Sequence, residues 1–188
     1  IGCGKMGYAL IKGINTASAY TAIYACDTSN ERCELMAREF GAIPASPEEL
    51  VNNADIIIMA VKPGQVLDLL AGTADHWNEK QLLISIAAGI KIASIEAAVG
   101  KPLPVVRVMP NTPCLVGEGA SGIAAGHYAS PADTELVQAM MNSVGITVIV
   151  DEAYMDAITA VSGSGPAYAF LVVEAMMDAA LQLGLSSD

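Results

Sequence analysis

Basic side chains are scarce in this sequence of 188 residues. Nine lysines and arginines stand against twenty aspartates and glutamates, which gives a net charge of −11. A surface with this excess of negative charge repels the phosphates of nucleic acids and the headgroups of acidic membranes. The composition therefore disfavours both as binding partners.

Cysteine and histidine are also few. The cysteines are Cys3, Cys26, Cys33 and Cys114, and the histidines are His76 and His127. No Cys-x-x-Cys pair occurs, and the histidines lie far from the cysteines in the sequence. The pattern suggests neither a zinc site nor a disulfide framework, so we expect no metal and the reduced thiols of a cytoplasmic protein. No Ser-His-Asp set or isolated catalytic dyad is present either.

The feature around which the chain is organised is its first seven residues, IGCGKMG. Three glycines at this spacing are typical of the turn between a parallel strand and a helix that holds the pyrophosphate of a dinucleotide. Apolar residues at helical spacing predict that helix over residues 6–16, with its amino terminus directed at the phosphates. Because the motif needs a strand in front of the turn, we expect that most of a first strand is missing from the sequence.

An acidic residue follows where a dinucleotide-binding unit places one. Residues 20–26 alternate as a strand does, and Asp27 stands twenty residues beyond Gly7. An acid at this place can hold the ribose hydroxyls of a dinucleotide. It can equally cap a helix that starts near Asn30. The two interpretations are compatible.

Strands and helices alternate along the following residues. Predicted strands span residues 54–60, 82–86, 105–109, 122–128 and 146–150, and predicted helices span residues 31–40, 47–52, 63–70, 92–99 and 131–144. We interpret residues 54–60 as buried on both faces. The alternation predicts an α/β fold, a Rossmann-type and mostly parallel sheet with helices on both faces. We expect this dinucleotide-binding domain to occupy residues 1–151.

The loops that follow the predicted strands are candidate sites, because ligands of such sheets bind beyond the carboxyl ends of the strands. These loops contain residues 61–64, 87–89 and 110–113. Lys62 is interpreted either as a solvated residue beside a helix start, which we favour slightly, or as a catalytic lysine. The small residues at 87–89 suit the approach of a flat ring and equally suit a tight turn.

A second domain, made of helices, is predicted to begin within residues 152–188. Its first helix covers residues 153–161, and a small-residue loop, SGSGP, follows at residues 162–166. Such a loop at a helix start could receive an anion such as a carboxylate. An ordinary turn between helices explains the same residues.

The helix predicted over residues 166–183 is apolar apart from Glu174, Asp178 and Gln182. Two carboxylates make a membrane span costly. A helix this apolar must be buried on nearly all sides, which predicts a further chain segment or a second subunit as its cover. Residues 186–188 have the pattern of a cap for another helix.

Taken together, these segments resemble pyrroline-5-carboxylate reductase, a family of enzymes that make the last reduction in proline biosynthesis. The matching stretches are IGCGKMG at 1–7, AVKPGQV at 60–66, SIAAGI at 85–90, RVMPNTP at 107–113, EGASGIAAG at 118–126 and AVSGSGPAYAFLVVEAMMDAALQLGL at 160–185. The first is shared with many dinucleotide enzymes, whereas the last is long and characteristic. The resemblance covers essentially the whole chain in the family's order.

The resemblance implies a Rossmann domain followed by an all-helical C-terminal domain through which two subunits interlock. The cofactor residues that it implies are Ile1, Gly2, Cys3, Gly4, Lys5, Met6, Gly7, Ala60, Val61, Lys62, Pro63, Ile86, Ala87 and Ala88. The substrate residues that it implies are Asn111, Ser162, Ser164, Gly165 and Pro166. A further substrate loop of the family, rich in serine, proline, glycine and threonine, would lie beyond residue 188.

The implied reaction is hydride transfer from a reduced nicotinamide to the C=N carbon of 1-pyrroline-5-carboxylate, which gives L-proline. An iminium carbon is already electrophilic, so the protein needs neither a metal nor a strong nucleophile. We expect it to position the two rings, bind the substrate carboxylate and exclude water. No catalytic residue is assigned, and Ser164 and the backbone of Gly165 are expected to matter through geometry.

Cofactor choice depends on the residues after the second predicted strand. Asp27 favours NADH because it repels a 2′-phosphate. The resemblance instead implies NADPH, for which Thr28, Ser29, Asn30 and Arg32 could supply contacts. We expect NADPH, with NADH also possible, in an enzyme that is at least a homodimer.

Two other functions stay open on the sequence. A related reductase of a hydroxy acid or another cyclic imine would share the first domain but differ in the SGSGPAYAF segment. A dinucleotide sensor without catalytic activity would keep the glycine turn and would not need the substrate loops.

Overall fold

The computed structural model describes residues 1–17 and 22–186. Its helices are α1 (Lys5–Ala17), α2 (Asn30–Phe40), α3 (Pro47–Asn53), α4 (Pro63–Gly72), α5 (Ile92–Val99), α6 (Pro131–Met141), α7 (Met155–Ile158) and α8 (Gly165–Gln182). Its strands are β1 (Tyr24–Ala25), β2 (Ile43–Pro44), β3 (Ile56–Met59), β4 (Leu82–Ser85), β5 (Val105–Met109), β6 (Gly119–Ala125) and β7 (Gly145–Ile149). The start of the strand predicted over residues 20–26 and the end of the cap predicted over residues 186–188 lie outside the described residues.

The strands form two sheets that residues 1 and 2 join. One sheet has the order β3-β4-β5-β6-β7, and β1 pairs with β2. The amine of Ile1 donates to Ile58 O at 2.7 Å, Ala60 N donates to Ile1 O at 2.7 Å, and Gly2 N donates to Cys26 O at 2.7 Å. Residues 1 and 2 therefore lie between the ends of β1 and β3. Every strand pair is parallel apart from β5 with β6, so the predicted mostly parallel α/β sheet is confirmed.

Helices cover both faces of the larger sheet. Successive residues of a strand point to opposite faces, and β4 is buried along its whole length. Leu83 belongs to the apolar cluster that contains residues of α4 and α5, whereas Ile84 belongs to the cluster that contains residues of α1 and α6. Because β3, β4 and β5 run parallel to one another, their carboxyl ends lie together at one edge of the sheet.

Burial of β3 is less complete than the sequence predicts. Ile57 and Met59 are buried, but Ile56 and Ile58 are half-buried. Both border an apolar slot of about 460 Å³ between β1 and β3, which explains their exposure. Gly2, Gly7 and Ala60 border the same slot, so it extends to the carboxyl ends of these strands.

Two further predicted boundaries need correction, and some short elements were not predicted. The strand predicted over residues 122–128 is β6, which begins and ends three residues earlier. The helix predicted over residues 131–144 ends at Met141. Two 3₁₀ turns, Ala74–His76 and Thr112–Val116, and the short strand β2 were not predicted.

The largest correction concerns residues 162–166, which are helical and not a loop. After α7 the chain continues into a π-helical turn, Thr159–Gly163, and α8 begins at Gly165. Ser164 N donates to Thr159 O at 3.0 Å, five residues back, and the Ser164 hydroxyl donates to the same carbonyl at 3.2 Å. Pro166 supplies the physical reason, because it has no N–H to give to the carbonyl four residues before it. π-turns inside helices often mark functional sites.

Helix α8 presents large apolar side chains to the surface. Phe170, Leu171 and Met176 are 72%, 65% and 67% exposed. The described residues therefore leave uncovered the helix that the sequence predicts to be buried. In the described part of the chain, no helix is both long and apolar enough to cross a membrane.

Arg107 attaches the first turns of the helical region to the sheet. Its side chain, on β5, is 3% exposed, and it pairs with Glu152 at 3.1 Å and with Asp156 at 3.5 Å. The same Glu152 oxygen also accepts from Ile92 N, at the start of α5, at 2.7 Å. One carboxylate thus links a strand, a helix start and the turn that leads to α7.

We predict that Arg107→Met lowers the free energy of unfolding by about 1–3 kcal/mol. Breaking a fully buried pair costs more, but Glu152 and Asp156 are partly in water, which screens the interaction. Urea denaturation would measure the change. Glu152→Gln is the matched control, since its amide oxygen can still accept from Ile92 N, and its loss should be smaller. Equal denaturation midpoints for Arg107→Met and the wild type would contradict the prediction.

Candidate active site

Two of the three glycines in the opening turn are required by the protein's own packing. Gly2 has φ +95°, and a Cβ added there would lie 2.6 Å from the carbonyl carbon of Ala60. A Cβ on Gly7 would overlap Gly2 O. Gly4 differs, because a Cβ on it would meet nothing within 4 Å. Gly4 therefore borders open space beside the amino terminus of α1.

This open position fits a dinucleotide pyrophosphate. The first N–H groups of a helix have no partners within the helix, and its dipole places partial positive charge there. Tyr8 N is the first to donate within α1, to Gly4 O at 2.9 Å, and Lys5 is exposed beside it. Burial raises the pKa of the Cys3 thiol to about 12, so this side chain is neutral and adds no negative charge near the phosphates. The turn thus offers helix N–H groups and positive charge, and its binding of a pyrophosphate stays a prediction.

Asp27 holds the glycine turn in place. Its Oδ2 accepts from Cys3 N at 2.8 Å, its Oδ1 accepts from Ser29 N at 2.9 Å, and Arg32 lies 3.6 Å from Oδ2. Partial burial opposes ionisation of this carboxyl. The hydrogen bonds from Ser29 and Cys3 and the charge of Arg32 outweigh it and lower the pKa. The alternative in which Asp27 caps α2 is wrong, because the residue at the N-cap is Ser29.

The hydrogen bonds of Asp27 affect whether the turn can accept a nucleotide with a 2′-phosphate. Its side chain is only 8% exposed, and each oxygen already accepts a backbone N–H. Thr28 is exposed and Ser29 is half-buried beside it. The Arg32 side chain is 56% exposed. Of this ion pair, the accessible member is therefore the guanidinium and not the carboxylate.

The other two segments predicted to bind the cofactor lie beside the glycine turn. Residues 60–63 follow β3, where Ala60 N donates to Ile1 O. Residues 86–88 follow β4, where Ile86 N donates to Met59 O at 3.1 Å. These bonds bring three chain segments together at one edge of the sheet.

Most members of these two segments are small or apolar. Val61 is half-buried, Pro63 begins α4, and Ala87 is buried. Lys62 is exposed and has no ion-pair partner within residues 1–17 and 22–186. Its position directly before α4 agrees with the interpretation as a solvated residue at a helix start.

Asn111 connects the sheet to the π-turn. Its Oδ1 accepts from Ala120 N at 2.9 Å, and its Nδ2 lies 3.3 Å from Ser162 O and 3.5 Å from the Ser162 hydroxyl. In an α-helix the carbonyl of residue 162 would accept from residue 166, but Pro166 has no N–H. The side chain of Asn111 supplies the missing donor.

The remaining predicted substrate residues surround this connection. A Cβ on Gly163 would lie 2.9 Å from Met109 Cε, so the π-turn packs directly on the end of β5. Ser164 and Gly165 are half-buried, and a Cβ on Gly165 would meet nothing within 4 Å. The 3₁₀ turn Thr112–Val116 in turn lies against α1. The 3₁₀ turn that follows Asn111 thus links the substrate candidates to the glycine helix.

Two residues that hold the helical region in place were assigned no role from the sequence. Arg107 lies within the quoted stretch RVMPNTP and received no role, although a lone arginine in the apolar strand VVRVM is a signal for a buried ion pair. The carbonyl of Thr159 accepts from Ser164 only because the helix forms a π-turn there. No sequence pattern predicts this bond. Within residues 1–17 and 22–186, no three His, Cys, Asp or Glu side chains are grouped as a metal site would require.

Comparison with known proteins agrees with this geometry. A family model described as NADP oxidoreductase coenzyme F420-dependent matches residues 1–89, and one described as pyrroline-5-carboxylate reductase dimerisation matches residues 152–188. The pyrroline-5-carboxylate reductase of Pseudomonas aeruginosa is 44% identical over 191 residues, which cover 100% of this chain and 70% of that protein. The chain belongs to the pyrroline-5-carboxylate reductase family. The resemblance inferred from the sequence is thereby confirmed.

Solved structures of pyrroline-5-carboxylate reductases have the same fold. The enzyme from Coxiella burnetii has a TM-score of 0.89 at 34% identity, over 99% of this chain and 70% of that one. The enzyme from Plasmodium falciparum, solved with NADP bound, has a TM-score of 0.87 at 36% identity, over 99% of this chain and 69% of that one. Membership of the pyrroline-5-carboxylate reductase family disfavours both the sensor and the reductase of a different substrate.

We predict that two glycine variants separate binding from folding. Gly4→Ala should unfold at the wild-type temperature and bind NADPH about tenfold more weakly or worse, because its methyl group enters the open position (about 1.4 kcal/mol). Gly7→Ala should lose about 1–3 kcal/mol of stability, because its methyl group meets Gly2 O. Thermal unfolding and fluorescence titration with NADPH would measure the two effects. Tight NADPH binding by Gly4→Ala would show that the pyrophosphate lies elsewhere.

Proposed function

We propose that this chain reduces 1-pyrroline-5-carboxylate to L-proline with NADPH. The observation that carries the proposal is that the glycine turn and the Asn111–Ser162 connection lie at the same edge of the sheet, where the 3₁₀ turn after Asn111 packs against α1. One side of this edge offers helix N–H groups to a dinucleotide, and the other offers hydroxyl groups to a small acid. Membership of the pyrroline-5-carboxylate reductase family supports the reaction.

The cofactor would lie along the three segments that the sheet brings together. Residues 1–7 would hold the pyrophosphate, with Gly4 as the point of closest approach. Residues 60–63 and 86–88 would border the nicotinamide, where small and apolar side chains exclude water and leave room for a flat ring. When bound, the reduced nicotinamide supplies the hydride. The chain's contribution there is to orient the ring and to keep the site dry.

The substrate would lie against the π-turn. The Ser162 hydroxyl faces the Asn111 amide at 3.5 Å as an acceptor, so its own proton can be donated to a carboxylate. The Ser164 oxygen can accept from the N–H of the protonated imine, which is the group whose charge disappears on reduction. Pro166 and Gly165 contribute shape, since neither adds a side chain that fills the site. These contacts orient an already electrophilic carbon and require no covalent intermediate.

The residues after β1 favour NADPH over NADH. An acid at Asp27 would normally repel a 2′-phosphate. Here both of its oxygens accept N–H groups and its charge is partly balanced by Arg32. We infer that Arg32, with the hydroxyls of Thr28 and Ser29, receives the 2′-phosphate. The Plasmodium falciparum relative, solved with NADP bound, supports this preference.

The domain boundary, the homodimer and the cellular location of the protein are also proposed, each from its own observation. We propose a boundary between a dinucleotide-binding domain at 1–151 and a helical dimerisation domain beginning at 152, which the dimerisation match at 152–188 supports. The exposed apolar surface of α8 supports a homodimer formed through that domain. The four cysteines are buried and unpaired, which supports a location in the reducing cytoplasm.

The function is tested by following the oxidation of NADPH and NADH by the full-length protein, with and without 1-pyrroline-5-carboxylate. We expect oxidation that depends on the imine, with a higher kcat/KM for NADPH. Arg32→Ala should lower kcat/KM for NADPH about tenfold and leave that for NADH unchanged, because one ion pair to a phosphate is lost. Arg38→Ala is the matched control, since it removes the same charge from the other end of α2.

Two results would overturn these assignments. A folded protein that binds dinucleotide and turns over neither cofactor would exclude the reductase and favour a sensor. If Arg32→Ala and Arg38→Ala gave equal ratios of the two cofactor efficiencies, the assignment of the 2′-phosphate to Arg32 would be wrong while the reductase stood.

The substrate assignment is tested with Ser164→Ala in the same assay. The π-turn should persist, because Ser164 N still donates to Thr159 O. We expect kcat/KM for 1-pyrroline-5-carboxylate to fall about 10- to 100-fold, which is the cost of one hydrogen bond to a charged group. The KM for NADPH should not change. Ser94→Ala, at an exposed serine of α5, is the control, and equal kinetics for the two variants would remove Ser164 from the substrate site.

A further inference from the structure

The amino terminus of α5 is bonded to a residue far along the chain. Its N-cap residue, Lys91, makes no side-chain capping bond. The first N–H groups of a helix have no acceptor within the helix, and Ile92 N instead donates to Glu152 Oε1 at 2.7 Å. Glu152 stands 60 residues beyond Ile92, in the turn that leads to α7. The start of α5 is therefore held by the helical region and not by a neighbouring side chain.

The helix start that Glu152 holds ends a loop that the proposed function uses. Residues 86–91 connect β4 to α5, and we call them the β4–α5 loop. At its beginning, Ile86 N donates to the carbonyl of the last residue of β3 at 3.1 Å. Directly after its end, Glu152 accepts from α5. Ala87 and Ala88, which are proposed to border the nicotinamide, thus lie between two bonded points.

The same carboxylate oxygen is also bonded from the substrate side. Glu152 Oε1 accepts from the guanidinium of Arg107 at 3.1 Å. Arg107 is buried in β5, the strand that leads to Asn111, and Asn111 in turn donates to Ser162 O at 3.3 Å. The chain itself runs from Glu152 through α7 into the π-turn. One oxygen atom therefore connects the cofactor side of the proposed site with its substrate side.

Packing supports this connection. Ala87 of the β4–α5 loop, Ile92 of α5 and Met155 of α7 are buried in the same apolar cluster. The Arg107 side chain is 3% exposed and that of Glu152 is 30% exposed. Their bond is partly shielded from water and is therefore stronger than an ion pair on the surface. The loop, the helix start and α7 are parts of one packed unit.

We propose that Glu152 is a positioning residue for hydride transfer, because it holds the β4–α5 loop at a fixed distance from the π-turn. It acts through Ile92 N and needs no contact with either reactant. Misplacement of the reacting groups by about 1 Å can cost about 100-fold in rate. The inference rests on the proposed function, which places the nicotinamide at this loop and the imine at the π-turn.

Glu152→Ala and Glu152→Gln in the full-length protein test the inference. Both bonds end on one oxygen, and a glutamine offers one amide oxygen with two lone pairs. Glu152→Gln should therefore keep kcat close to that of the wild type. Glu152→Ala should lower kcat about tenfold and leave the KM values for NADPH and 1-pyrroline-5-carboxylate nearly unchanged, because the loss falls on the geometry of the transition state. A merely structural role would leave kcat per folded protein unchanged.

Hydrogen exchange of the protein without cofactor gives a second readout. In Glu152→Ala, but not in Glu152→Gln, peptides from residues 86–95 should exchange about tenfold faster, because Ile92 N loses its fixed acceptor. Peptides of α2 should exchange as in the wild type, which shows that the chain stays folded. Asp156→Ala is the matched control, since Asp156 pairs with the same arginine at 3.5 Å but is 79% exposed. It should leave both kcat and the exchange of residues 86–95 unchanged.

The outcomes separate this inference from the proposed function. An unchanged kcat for Glu152→Ala, in a protein whose wild type reduces the imine, would overturn the positioning role and leave the reductase in place, whatever the exchange rates. An equal loss of kcat in Glu152→Gln and Glu152→Ala would also overturn it, since the charge and not the two hydrogen bonds would then matter. A wild-type protein that oxidises no NADPH in the presence of the imine would overturn the proposed function and this inference together.

Discussion

The three backbone hydrogen bonds of residues 1 and 2 determine where everything else in the site can be. These bonds join β1 to β3. Gly2 is the last residue that makes them, and its positive φ turns the chain out of the sheet. The helix that follows must then begin at the carboxyl edge. Because β3 and β4 run parallel to each other, their loops arrive at the same edge. The proposed place of dinucleotide binding is thus a consequence of backbone geometry, and individual side chains refine it.

The substrate side depends on one missing N–H group. Pro166 cannot donate to Ser162 O, which leaves a carbonyl inside a helix without its usual partner. Asn111 donates to that carbonyl from the end of β5, and the helix widens into a π-turn. The carbonyl that the helix leaves without a donor is thereby hydrogen-bonded by a side chain from the end of β5. This mutual requirement fixes two serine hydroxyls next to the sheet without any charged residue at the contact.

The fold was predictable because its signals are local. Glycine spacing, buried apolar runs and proline at helix starts placed nearly every helix and all the strands of the larger sheet, with errors of a few residues at the ends. The π-turn was missed because small residues and proline normally indicate a loop, and its stability depends on Asn111, more than 50 residues away in the chain. The role of Asp27 was missed for a related reason. Its spacing from Gly7 fits a ribose contact, whereas its partner, Cys3 N, is a backbone group that no sequence pattern reveals.

The bond between Asp27 and Cys3 N has a consequence for how such a protein can diverge. In many dinucleotide domains the acid after the second strand both selects the nucleotide and faces solvent. Here the carboxylate accepts from Cys3 N inside the turn, and in our proposal selection falls to neighbouring exposed positions such as Arg32. Nucleotide preference can therefore drift between lineages through surface substitutions that leave folding untouched. The acid after β1 would then be a poor guide to which nucleotide a descendant uses.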